Sequence, residues 1–356
     1  MITLVLAALL ATADPTTPAL QTQNTPPSTV DGTWHARLRD TWTQNDGQSW
    51  LSLRLYLERE QQYGISVPMA DLEGLAGRGD RLTAKDVRFS LRRDAGTVDF
   101  DGSFADGNGA GTWRFSPSAA FVSDLRATYP DMSSEQVFKL AIHDVSRAFM
   151  SSLKEQGYAN LSLNELTKMR IHDVTADYIQ GFRKAGYDKL SVAELVKTRI
   201  HGATPAFAQD VAPAGAAKPS VDALVKMRIH GVTPEFIREL RALGYGDLPI
   251  DELVKLRIHG ASIEFIRELR DLGYKDIPVR ELVRLRIHGV SPSFIRELRD
   301  LGYANVAADD LVRMRIHGVT PQFIRDVQAA GFKGMSPDDL VEFSIHGGSR
   351  WLRKRG

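Results

Sequence analysis

Eight histidines, His143, His172, His201, His230, His259, His288, His317 and His346, stand at intervals of 29 residues. Imidazole titrates nearest neutrality and is the commonest metal ligand. Such a series therefore suggests a proton-responsive stack, a metal-binding ladder, or a peg at a helix end. Metal is the weakest of the three. Histidines on neighbouring helical units would lie about 10 Å apart, too far to share an ion. No second ligand recurs four residues on, and no His-Glu-x-x-His occurs. Each histidine is instead followed by Gly, or by Asp at Asp144 and Asp173. These residues accept the left-handed backbone that closes a helix. The imidazole is expected in a last helical turn, donating to leftover carbonyls and, when charged, meeting the negative end of the dipole. The eight histidines are thus assigned as structural repeat positions, with no metal and no cofactor.

Arginine is the other recurrent chemical group. Arg238, Arg267, Arg296 and Arg325 share one repeat position, and Arg241, Arg270 and Arg299 lie three residues further on the same helical face. Guanidinium forks suit carboxylates. These seven are the candidate partner-binding residues, for a protein partner with an acidic surface. The competing reading is a solvated face balanced by Glu235, Glu239, Glu264, Glu268 and Glu297. Nucleic acid fits poorly, because acids are interleaved throughout and the net charge is only +1. There is no Gly-rich phosphate loop, no nucleophile elbow and no recurring shielded carboxylate pair. No catalytic residue is assigned, and the chain is expected not to be an enzyme. The absence of cysteine removes disulfides and thiolate chemistry.

The elements that carry these residues follow from the 29-residue period. Three residues after each histidine stands Ser or Thr, an N-cap, often with Pro next, as at Pro234, Pro292 and Pro321. A helix A follows, with Phe236, Leu240 and Leu243 on one stripe, and it stops at a Gly such as Gly244 or Gly273. An aromatic, Tyr245, Tyr274, Tyr303 or Phe332, then plugs the seam. Helix B begins at a second cap, Ser162 with Glu165 or Ser191 with Glu194, and ends at the histidine. Leu253, Val254, Leu256 and Ile258 are expected to supply its apolar side. The unit after His201 is worn: Pro213 interrupts helix A and Ala216 replaces the aromatic.

Before the array the period is two. Trp34, Ala36 and Leu38, then Leu51, Leu53, Leu55 and Leu57, then Val87, Phe89 and Leu91 alternate with polar residues. Turn sequences such as Asn45-Asp46-Gly47 and Asp94-Ala95-Gly96 separate them. An antiparallel meander of about six strands, a small barrel or curled sheet, is expected. At the start, Ile2 to Ala11 is apolar and Ala11-Thr12-Ala13 has a signal-peptidase form. The organisation is therefore residues 1–13 signal peptide, 14–31 Pro/Thr-rich linker, 32–117 antiparallel β domain and 118–356 helical solenoid. No membrane span is expected in the mature chain.

Units of the form "LRIHGVSPSFIRELRDLGY" resemble the 29-residue repeats of exported bacterial proteins. They are also similar to extracytoplasmic extensions of beta-lactam-sensor-type antirepressor metallopeptidases. The stretch "SLRRDAGTVDFDGSFADGNGAGTWRF" resembles the β segment preceding such repeats. The peptidase's zinc motif and membrane helices are absent from this sequence, so no catalytic residue carries over. The resemblance implies a periplasmic or secreted location and an accessory role. The fold class expected is a multidomain α+β chain, a β domain followed by an α-hairpin solenoid of about eight repeats. The expected function is a non-catalytic scaffold or sensor that binds a protein partner of the cell envelope. The alternatives are a small-ligand-binding β domain on a helical stalk, and a pH-responsive or metal-binding histidine ladder.

Overall fold

The computed structural model describes residues 28–39, 49–57, 61–75, 82–212 and 218–347. The apolar start, most of the linker, the Asn45-Asp46-Gly47 turn, Pro213 and Ala216 lie outside the described residues. No described helix is long and apolar enough to cross a membrane. The chain divides into two compact units, 1–171 and 172–356.

The first unit opens with an antiparallel, curled half-barrel. Its strands are β1 (Val30–Arg39), β2 (Trp50–Leu57), β3 (Gln61–Pro68), β4 (Leu72–Glu73), β5 (Ala84–Arg93), β6 (Gly96–Ala105) and β7 (Asn108–Pro117). The expected count was about six; the seventh is the two-residue β4, too short to show a period, paired with β5. The order is β3-β2-β1-β7-β6-β5-β4, so β1 pairs with both β2 and β7 and joins two meanders. Alternate residues point inward as their apolarity requires. Trp34 meets Phe89 edge-on at 5.4 Å, and Phe89 stacks on Phe100 at 4.5 Å. Glycines make room for the Trp34 indole. A Cβ on Gly102 would stand 2.7 Å from its ring, and one on Gly111 1.9 Å from the Asp101 carbonyl. The indole Nε1 donates to the carbonyls of Asp101 and Thr112 at 3.2 and 3.1 Å.

Four helices complete this unit: α1 (Ala119–Arg126), α2 (Ser134–Ile142), α3 (Arg147–Glu155) and α4 (Leu163–Ile171). Helix α2 closes the open side of the sheet. Phe138 stacks on Trp113 at 4.6 Å and touches Phe115 and Tyr63. Arg147, at the start of α3, holds Asp94 of the β5–β6 turn bidentately and Asp124 of α1. The Arg147 side chain keeps the Asp94 carboxyl below its ordinary value.

The second unit is a repeated helical arrangement. Its A helices are α5 (Ala176–Lys184), α7 (Pro205–Val211), α9 (Pro234–Ala242), α11 (Ile263–Asp271), α13 (Pro292–Asp300) and α15 (Pro321–Ala329). Its B helices are α6 (Val192–Ile200), α8 (Val221–Ile229), α10 (Ile250–Ile258), α12 (Val279–Ile287), α14 (Ala308–Ile316) and α16 (Pro337–His346). Each A helix packs on the next A, and each B on the next B. The expected caps are formed: the side chains of Thr233, Ser262 and Ser291 accept from the amides of Phe236, Phe265 and Phe294. Helix α7 has 7 residues where the other A helices here have 9. It stops at Val211, and Ala212 is extended, as a residue before proline is pushed to be.

Candidate functional site

The recurrent triplet Arg-Ile-His is where the repeat concentrates its chemistry. The histidine is the C-cap residue of α2, α6, α8, α10, α12 and α14, with His259 at φ −91°, whereas His346 is the last residue of α16 and Gly347 its cap. The next residue is left-handed, Gly260 at φ +68°, and Ala261 N donates to the Leu256 carbonyl at 2.8 Å. The same bond closes α8, from Val232 N to the Met227 carbonyl, and α12, from Val290 N to the Leu285 carbonyl, each at 2.9 Å. This alters the expected role of the imidazole. The orphan carbonyls are satisfied by backbone amides, and among the described residues none of the eight imidazoles donates to a carbonyl. The nearest side-chain partner is Glu342, 3.8 Å from His346. Three His, Asp or Glu side chains do not converge anywhere among the described residues in a way that could hold a metal. His143 differs from the rest: it is half-buried, and desolvation, with the Lys139 charge, lowers its pKa.

The arginine of the triplet is a packing group. Arg257 lies over the Phe236 ring at 5.1 Å, Arg286 over Phe265 at 4.9 Å and Arg315 over Phe294 at 5.1 Å. Each guanidinium abuts the glycine one unit earlier; a Cβ on Gly260 would stand 3.1 Å from Arg286. Where that residue is Asp, the fit becomes an ion pair. Arg170 holds Asp144 at 2.5 Å, and Arg199 holds Asp173 at 2.9 Å. Both aspartates are left-handed, at φ +53° and +51°.

The isoleucine is the departure from expectation. Ile258 does not join Leu253, Val254 and Leu256 in the core but is 56% exposed. Ile200, Ile229, Ile287, Ile316 and Ile345 repeat this at 47–57%, as does Ile171 in the first unit. Helical phase explains it. Ile258 falls three residues after Lys255 and seven after Asp251, so it shares their solvent face. Those polar neighbours were the signal in the sequence. Because the B helices pack side by side, the six isoleucines of the second unit form a row with a step of about 10 Å. Beside it runs a cationic row. Lys197 pairs with Asp222 and Lys226 with Asp251 at 2.6 Å, Arg284 with Asp309, and Arg313 with Asp338 at 2.6 Å. At Lys255 the accepting aspartate is replaced by Arg280.

The seven candidate arginines on the A helices do not form one stripe. Arg238 pairs with Glu235 at 2.6 Å, Arg267 with Glu239 at 3.1 Å, Arg296 with Glu268, and Arg325 donates to Gln322 at 3.2 Å. The second row turns into the array. Arg270 donates to the Leu243 carbonyl at 2.5 Å and Arg299 to that of Leu272, while Arg241 pairs with Asp247 at 2.7 Å. In the β domain the interior is filled by aromatic rings. A concavity of about 480 Å³ lies on the outer face of β1–β3, where His35, Arg37 and Arg54 stand with Ser52 and Ser66. No known family model matches the chain, and no curated protein matches it.

Proposed function

We propose that this chain is a non-catalytic interaction module of the cell envelope whose helical array binds a protein partner along the row of Ile-His pairs. One observation carries this reading. Ile-His is identical in all eight units, although the isoleucine is exposed in the seven from Ile171 onward. Other solvent-facing positions of helix B drift: seven residues before the isoleucine stand Asn164, Ala193, Asp222, Asp251, Arg280, Asp309 and Asp338. Packing does not require the isoleucine, and repeated exposed apolar groups favour association. The complementary partner presents apolar side chains at the helix spacing, with an acidic group suited to Lys255, where Arg280 replaces the aspartate of the other units.

The test is the double variant Ile258→Asp, Ile287→Asp in the full chain. Its melting temperature should stay near the parent's, and species that co-purify with the parent from native envelopes should be lost. Unchanged co-purification overturns the reading. The envelope location rests on the apolar start and Ala11-Thr12-Ala13. Mass spectrometry should find a mature N-terminus near Asp14; soluble protein retaining Met1 contradicts it.

A further inference from the structure

The outer face of β1–β3 gathers cations without anions. In the register of the sheet His35 stands opposite Arg54, and Arg37 opposite Ser52. Beyond Arg54 lies Gly64, and beyond Ser52 lies Ser66. On the other side of β1, His35 faces Ala110 and Arg37 faces Asn108. None of these neighbours is acidic. Other arginines of the same sheet show the contrast. Arg88 pairs with Asp101 at 2.9 Å and Arg92 with Glu73 at 2.7 Å, and Arg114 stands between Asp31 and Asp99 in register. Arg37 and Arg54 are thus set where the sheet offers them no cross-strand attraction.

The same register brings the cations together. Opposite residues have Cβ atoms about 5 Å apart and diagonal ones about 7–8 Å, within reach of long side chains. His35, Arg54 and Arg37 therefore mark a triangle whose side chains can meet above one point of the sheet. The hydroxyls of Ser52 and Ser66, 3.4 Å apart, stand beside it. Tyr56 meets the His35 ring edge-on at 5.4 Å, on the side away from Arg37. These groups line an open concavity of about 480 Å³. Its floor is kept low at Gly64. That residue is not left-handed, and a Cβ there would meet nothing within 4 Å. Neither backbone nor packing requires glycine at this point, and a glycine inside a strand marks close approach of a ligand.

We propose that this concavity binds a phosphate monoester group, held by the guanidinium groups of Arg37 and Arg54, the imidazole of His35 and the hydroxyls of Ser52 and Ser66. Each of these side chains can donate a hydrogen bond, and an arginine fork matches two oxygens of a phosphate. The three terminal oxygens of a phosphate monoester use all three cationic groups, whereas a carboxylate has only two oxygens to offer. The site is independent of the Ile-His row and stands whether or not that row binds a partner.

The probes are glycerol phosphate and inorganic phosphate, titrated calorimetrically into the full chain at constant ionic strength. Both should saturate at one equivalent, and acetate should bind at least about tenfold more weakly, the factor that one hydrogen bond between charged groups confers. Arg37→Gln and Arg54→Gln should each weaken phosphate binding by about the same tenfold. Their melting temperatures without phosphate should stay level or rise, because neither arginine loses a cross-strand acid. Arg88→Gln, on the same sheet but paired with Asp101, should leave binding unchanged. Gly64→Leu should weaken binding without lowering the melting temperature, since its side chain fills the open floor. Vesicles of equal parts phosphatidylcholine and phosphatidate carry the same group on a lipid. Pelleting with them that glycerol phosphate competes away assigns the group to a headgroup; no pelleting assigns it to a soluble ester. No saturation by either phosphate probe, equal affinity for acetate, undiminished binding in Arg37→Gln, Arg54→Gln or Gly64→Leu, an equal loss in Arg88→Gln, or pelleting that glycerol phosphate does not compete overturns the proposal.

Discussion

At the scale of single residues, the chain runs its own substitution experiment at the helix B terminus. Glycine at position 260 satisfies a left-handed φ of +68° and clears the Arg286 guanidinium. Alanine there should cost about 1–2 kcal/mol, since it strains the backbone and crowds the arginine. Gly260→Asp should cost less, because Asp144 and Asp173 already adopt that conformation and pair with the arginine. Chemical denaturation of the two variants checks the order; equal losses would show that the arginine contact is unimportant. His143 gives a pH dependence of known sign. Its folded pKa lies below the ordinary 6.5, so the unfolded chain takes up its proton first as pH falls. Stability is fully present above about 6.5 and declines as pH drops toward the lower folded value. His143→Gln should flatten that slope for the first unit; an unchanged slope between pH 7 and 5 contradicts it. The period of the histidines was plain in the sequence, but the role of the imidazole was not. Backbone amides compete for the same carbonyls, and their closure depends on the residue after the histidine.

At the scale of elements, caps and glycine stops were legible because each is local chemistry, Thr233 with Phe236 or Gly244 after Leu243. Strand pairing was less so. That β1 joins β7 is a long-range pairing, and only the glycines of "DGNGAG" hint at the close approach it needs. Phe138 is the clearest test of how α2 holds the sheet. Phe138→Ala should cost about 3–5 kcal/mol, because Trp113, Phe115 and Tyr63 lose a shared ring. A loss below 1 kcal/mol in denaturant titration would mean that the sheet closes without α2. In the second unit, α7 is short, and the sequence has Ala216 where Tyr245 and Tyr274 follow α9 and α11. Hydrogen exchange should be fast across Pro205–Val211 and slow across Ile263–Asp271 and Pro292–Asp300, both of them capped and the first followed by the Tyr274 plug. Equal protection would show that neighbour contacts do not depend on the plug.

At the scale of the molecule, a sheet-based unit and a repeat-based unit divide the work of folding differently. The first buries one aromatic core, while the second is stabilised by similar neighbour interfaces. That leaves the solvent face of the B helices free to carry a repeated surface, and Ile-His is what repeats on it. The arginines drew attention in the sequence because charge is conspicuous there, yet each has a partner inside the array. The isoleucines escaped notice because an apolar residue in an amphipathic helix is ordinarily core, and only helical phase against Lys255 and Asp251 exposes them. The central claim is that binding occurs on the B face. It is tested most directly by placing a photocrosslinking residue at position 258 or 287 on that face and at 238 or 267 on the A face, in native cells. The account predicts a discrete protein adduct from 258 and 287 and little from 238 and 267; adducts confined to 238 and 267 would contradict it.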